Sequence, residues 1–318
     1  NQTKITKYFC IWKNFGNMEL NFNTLILALS KINKLGRKRI FKILSKIENL
    51  ENFSFEETFK FLDIEKKISL NEFKNFYENS IIELNKIKKL KIDIFNIFEN
   101  DQISFFKNKS FFNNKYESIE FPNQLFVLNK SNLKLKNYKN IFTIIGTRNN
   151  SNESKLITQK IVNYLVKKNS IIVSGLAKGI DAIAHQKVID LDGITIAILA
   201  NGLDTIYPAE NRDLAKKIIK NGMLVSEYPF GLKAEKFRLI ERDRIQAMIA
   251  NDVVLIESKI DGGSMHAIKW AKKMNKRVWC FKINSSGNMD LIDNYKKCIS
   301  FENLEEFIEK YNYNINNR

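Results

Sequence analysis

One pattern repeats between Ile141 and Ser264: a short apolar run, a turn of glycine or small polar residues, then an amphipathic stretch. The apolar runs at 141–145, 171–174, 194–199, 223–226, 253–257 and 278–281 read as strands. The stretches 154–168, 180–189, 211–219, 242–250 and 265–274 read as the helices between them. Such alternation has one economical solution, a mostly parallel sheet with helices on both faces. The expected class is therefore α/β, a Rossmann-like doubly wound sheet.

The chain before this region reads differently. Leu25, Leu27, Leu29, Ile32 and Leu35 lead to Gly36, and Ile40, Phe41, Ile43 and Leu44 follow Arg37, Lys38 and Arg39. That is helix, tight turn, helix, similar to a helix-hairpin-helix or to a small packing domain with a basic face. Apolar residues at helical spacing continue through 81–98. Residues 1–110 are expected to form a small all-α domain and 111–318 the Rossmann-like domain, with one further strand at 125–128. Residues 301–313 offer one short helix, and no winged-helix domain is expected after it.

A formal net charge of +17 favours a polyanionic partner, although an excess of Asn, Lys and Ile also raises the lysine count. Three cysteines without paired spacing and two histidines leave no visible metal-ligand cluster and fit a reducing cytoplasm. No apolar run reaches the length of a membrane span. No cofactor is expected.

The turns carry the chemistry. Small residues at strand ends let a phosphate approach backbone N–H groups at helix starts. Arg148, in Gly146-Thr147-Arg148, can grip a phosphate with a forked guanidinium. Ser174, Gly175 and Gly179 flank a helix start where amides can face an anion, and Lys178 adds charge. The turn lacks the Gly-Lys-Ser/Thr ending of a P-loop, and the first strand lacks the dinucleotide fingerprint. Gly202 sits in a further such turn. Arg242 and Arg244 are about 200° apart on a helix, so one can meet a ligand while the other fixes the turn against Glu241 or Asp243. Gly263 permits close approach and Ser264 can donate to a phosphate. Asp181 and His185 share a helix face and are read as a capping carboxylate and a packed imidazole.

In order, these motifs resemble those of the DNA-processing protein A family, also called DprA or Smf. The resemblance rests on Gly146-Thr147-Arg148, Ser174 through Asp181 with His185, Gly202-Leu203-Asp204, Tyr207 through Arg212, Ser226-Glu227-Tyr228-Pro229, Arg242 through Ile245, and Gly262-Gly263-Ser264. It implies a non-enzymatic protein that binds and protects incoming single-stranded DNA in natural transformation. It also implies loading of RecA recombinase and a homodimer built through the Rossmann-like domain. The N-terminal region resembles the family's sterile-alpha-motif-like domain.

Two departures bear on binding. The family's Phe-Pro before Arg-Asn-Arg is Leu239-Ile240 here, so base stacking would fall to Phe237. Asp243 stands where the family carries Asn, beside the expected DNA path. The alternative reading is a nucleotide-binding phosphoribohydrolase-like enzyme, which would need a catalytic Glu after the glycine pair; residues 265–268 are Met, His, Ala and Ile.

Overall fold

The computed structural model describes residues 20–47, 54–62, 64, 67–98, 120–130 and 140–316. The chain divides into two compact units, Asn1–Asn85 and Lys86–Arg318.

The first unit is helical: α1 (Phe22–Ser30), α2 (Arg37–Leu44), α3 (Phe55–Phe61) and α4 (Leu70–Lys89), which runs on into the second. Side chains set the helix starts. Asn21 accepts the Thr24 N–H at 2.8 Å, and Ser54 and Glu57 form a reciprocal capping box. Leu25, Leu29, Leu35, Ile40, Leu44, Phe73 and Tyr77 are buried. Gly36 is extended (φ −75°) as the N-cap of α2, while the left-handed residue of the turn is Lys34 (φ 58°).

The sequence pattern predicts helix through residue 98. Instead Lys91 takes φ 57°, and β1 (Ile92–Asn96) follows, pairing antiparallel with β2 (Gln124–Leu128). A five-residue apolar run cannot be told from a helical turn by periodicity, and here the ladder decides. The first unit thus ends before β1 rather than near residue 110.

The other strands are β3 (Ile141–Ile145), β4 (Ile171–Ser174), β5 (Thr195–Leu199), β6 (Met223–Ser226), β7 (Asp252–Leu255), β8 (Arg277–Phe281) and β9 (Cys298–Phe301). They alternate with α5 (Asn152–Lys167), α6 (Ile180–Ile189), α7 (Arg212–Asn221), α8 (Lys236–Ile249), α9 (Ser264–Lys273), α10 (Ser286–Asn294) and α11 (Leu304–Asn316). The sheet order is β1-β2-β6-β5-β4-β3-β7-β8-β9, parallel from β6 to β9 and antiparallel at β1–β2 and β2–β6.

Alternate strand residues fill two cores. Ile141, Ile145, Val173 and Val253 pack with α8, α9 and α10, while Phe142, Ile144, Ile172 and Val254 pack with α5, α6 and α11. β9 and α10 carry too few apolar residues to stand out in the sequence. β9 is held by its parallel ladder with β8, and α10 by Asn288, whose amide donates to Ile256 O and Phe281 O at 2.8 Å each. No helix among the described residues is long and apolar enough to cross a membrane.

The order turns back at one place. From β3 the chain winds outward through β4, β5 and β6, then returns to lay β7 on the other side of β3. Crevices open at the carboxyl ends of strands where such a reversal occurs. The turns after β3 and β7, Gly146-Thr147-Arg148 and residues 256–263, meet there, tied by Thr147 N–H to Glu257 O at 2.7 Å.

Candidate functional site

A cleft of about 630 Å³ lies at this reversal, walled by the turns after β3 and β7, the first half of α8 and the start of α9. A smaller cavity of about 50 Å³ adjoins it. Arg148, Ala177, Tyr207, Leu239 and Arg242 belong to both walls, so the two form one channel. The larger volume falls within the range of ligand sites.

Arg148 is exposed and lines both cavities, and its guanidinium makes no hydrogen bond or ion pair with another described residue. A forked donor set held at a strand end and left to solvent suits a phosphate. Lys178 is also exposed on the wall but is drawn to Glu210, Nζ to Oε1 at 2.5 Å.

The turn after β4 differs from the anion cradle expected of it. Gly175 and Ala177 donate their N–H groups to Asp181 Oδ2, at 3.0 and 3.3 Å. The protein's own carboxylate therefore fills the place assigned to a ligand phosphate. Ser174 is buried and donates its hydroxyl to Ile144 O at 2.7 Å. Gly179 is needed for backbone reasons: it has φ +74°, and a Cβ there would lie 2.6 Å from Arg148 O. Gly202 is likewise spent within the fold. Its N–H donates to Leu232 O at 2.9 Å, and a Cβ would come within 2.5 Å of Pro229 O.

The two arginines of α8 also need correction. The helix starts at Lys236, six residues before Arg242, so both lie in its middle. Arg244 is fully buried: Nη2 donates to Glu227 Oε2 at 2.6 Å, Nη1 to Glu241 O at 2.9 Å and Nε to Glu120 O at 2.5 Å. A guanidinium so engaged presents nothing to a ligand. Arg242 is 5% exposed; its Nη1 donates to Gly175 O at 2.7 Å and to Ile198 O, and its Nε to Asp243 Oδ1 at 3.1 Å. It forms the cleft floor and supplies charge from beneath.

On the opposite wall, Gly263 is exposed and a Cβ there would meet nothing within 4 Å. Ser264 opens α9 without a side-chain cap and donates to Ser258 Oγ at 2.7 Å. The Met265 and His266 N–H groups donate to Gly262 O and Gly263 O, while those of Gly263 and Ser264 meet no acceptor among the described residues; both residues line the cleft, where the helix dipole favours an anion. Phe237 is 55% exposed, with the Arg238 guanidinium 4.7 Å from its ring centre, and lies outside both cavity walls.

Tyr207, His266 and Asp243 also line the wall. Tyr207 is an exposed aromatic on both cavity walls. Its signal was present in the Tyr-Pro motif, but a lone tyrosine in a loop gives no hint of facing a cleft. His266 lines the cleft, its imidazole held below the usual range by burial and then by Lys269 and Lys236. Asp243 lines it too; burial pushes its carboxyl up to about 7, against the opposing pull of Arg242, with Asp181 adding to the rise. Asp181 is raised as well, first by burial. His185 is sealed inside, with Nδ1 2.7 Å from Thr195 Oγ1, and burial lowers it to about 3. An imidazole so placed stays neutral and packs, as its helical register with Asp181 suggests.

Comparison with known proteins adds the following. A family model described as DNA recombination-mediator protein A matches residues 102–312. The Smf protein of Synechocystis is 38% identical over 165 residues, which is 50% of this chain and 42% of that protein. DNA processing protein DprA of Bacillus subtilis is 32% identical over 175 residues, covering 53% of this chain and 59% of its own. The chain thus spans about half the length of the curated relatives it matches. Among solved structures, DNA processing protein A of Streptococcus pneumoniae superposes with a TM-score of 0.71 at 24% identity, covering 92% of this chain and 98% of that one. That of Helicobacter pylori, described for its single-stranded DNA binding mode, gives 0.55 at 27% identity over 61% of this chain and 88% of its own.

Proposed function

The chain belongs to the DNA recombination-mediator protein A family, and from that premise we propose that it binds single-stranded DNA along the switch-point cleft. The observation that carries the proposal is Arg148: a cationic fork with no hydrogen bond or ion pair to a described residue, lining the same cleft as the start of α9. The net charge of +17 supports attraction of a polyanion, and the Helicobacter pylori relative is a single-strand binder. Phosphates would meet Arg148 and the amides of Gly263 and Ser264, with Arg242 adding charge from the floor. Recognition is then tolerant of sequence along the backbone and sensitive to salt. In this reading the protein acts as a homodimer that protects the strand and passes it to a RecA-type recombinase.

Fluorescence anisotropy with a labelled oligothymidine tests the binding step. Affinity should fall steeply as salt rises, and Arg148→Ala should weaken it several-fold. A salt-independent isotherm, or an unaltered Arg148→Ala variant, rejects the site.

A further inference from the structure

Asp243 is an unusual wall for a DNA cleft. It is 8% exposed and sits on α8 facing the cavity. One carboxylate oxygen accepts from Arg242 Nε at 3.1 Å; the other takes no hydrogen bond from any described residue. That oxygen is turned to the cleft, where it is open to a donor on a bound molecule. Asp181, the other buried acid on this wall, has its Oδ2 turned inward to the Gly175 and Ala177 amides.

While Asp243 is ionised a phosphate cannot satisfy it, because both are then acceptors and both are anionic. A nucleobase edge can. The exocyclic amines of cytosine, adenine and guanine donate to a carboxylate. Thymine has a single ring N–H flanked by two carbonyl oxygens, whose lone pairs face the carboxylate. Tyr207, exposed on the same wall, offers a ring face for a base that has left the stack.

Taking single-strand binding in this cleft as given, we propose that Asp243 reads a base edge: its open carboxylate oxygen accepts from an exocyclic amine, so the protein prefers strands with amine-bearing bases over oligothymidine. The selection is monodentate, since Arg242 holds the other oxygen. It also depends on pH. Asp243 is held up to about 7 by burial, with Arg242 and Arg148 pulling it down and Asp181 pushing it up. His266 shares the wall and is shifted down, first by burial and then by Lys269 and Lys236. Below that range Asp243 becomes a carboxylic acid, which can donate to a thymine carbonyl, and the preference shrinks.

The experiment compares anisotropy of labelled (dTdC)10 and dT20 at pH 8 and pH 6, for the unaltered chain and Asp243→Asn, with thermal melting to confirm that both are folded. The expected result is about fivefold tighter binding of (dTdC)10 at pH 8, reduced at pH 6 and lost in Asp243→Asn. Equal affinities at pH 8, or a preference that survives in Asp243→Asn, overturns the role of Asp243 and leaves the binding site standing. If neither strand binds at any salt concentration, the site itself is rejected and this inference with it.

Discussion

Arg244 and Glu227 lie fork to fork in the interior, Nη2 to Oε2 at 2.6 Å and Nη1 to Oε1 at 3.2 Å. The pair joins the middle of α8 to the turn after β6, and Glu120 accepts from the same guanidinium through its backbone carbonyl. An arginine that the motif pattern offers for DNA is here a clamp between segments far apart in sequence. Arg242, two residues earlier, lines the cleft floor instead. Helical geometry separates the two roles.

Removing one partner of a buried ion pair strands the other. Arg244→Ala should therefore lower the unfolding free energy by about 3–5 kcal/mol, read from urea denaturation. Loss of DNA affinity in that variant should follow loss of fold. A fully stable Arg244→Ala protein would show that the clamp is misassigned.

Arg148→Ala should behave in the opposite way. The side chain is exposed and makes no hydrogen bond or ion pair with a described residue, so stability should change by less than about 0.5 kcal/mol. Single-strand affinity should drop several-fold, and the slope of log affinity against log salt should fall by about 0.7 if one phosphate contact is lost. An unchanged slope would place the phosphates elsewhere.

Two aromatics compete for the stacking role that Leu239 cannot fill. Tyr207 lines the cleft, whereas Phe237 is exposed outside it with Arg238 against its ring. Tyr207→Ala should cost about 1–3 kcal/mol in single-strand binding, and Phe237→Ala less. The reverse ranking in a titration of both variants would return the role to Phe237.

His185 makes stability fall on the acid side. Its folded value is about 3 against an ordinary 6.5, so between those limits only the unfolded chain takes up the proton. The stability it protects is complete above about 6.5 and is lost as the pH falls toward 3. Between pH 6.5 and 5 the expected contribution to the loss is about 2 kcal/mol, seen as a falling melting temperature. The Thr195 contact can be kept in part by His185→Gln, which should flatten this part of the profile. An equally steep profile in the variant would assign the acid sensitivity to other groups.

Gly179 meets two constraints at once, φ +74° and the approach of Thr147 O and Arg148 O. Gly179→Ala should destabilise by roughly 1–3 kcal/mol and displace the Arg148 turn, weakening single-strand binding too. Melting and anisotropy on one preparation check both.

The sheet strands were readable because burial on both faces forces continuous apolar runs: β3, β4 and β6 coincide with the runs at 141–145, 171–174 and 223–226. Residues 92–96 and 298–301 were not, since short runs take their conformation from the strand they pair with. Arg148 was legible as a candidate because a strand-end arginine after a glycine turn has few uses. Ser174, Gly175, Gly202 and Arg244 were not separable from it by sequence.

By itself, the order of apolar runs and small-residue turns determined the α/β class, the two-faced sheet and the cluster of polar turns at one sheet edge, because period and burial are local properties of a chain. Only the tertiary structure decided which groups remain open to a ligand. That choice depends on which donors and acceptors are consumed across long sequence distances: Asp181 fills the amides of its own turn, Glu227 consumes Arg244, and Arg148 and one oxygen of Asp243 are left facing the cleft. Hydrogen-bond saturation is a property of three-dimensional neighbours, and no spacing in the sequence encodes it alone.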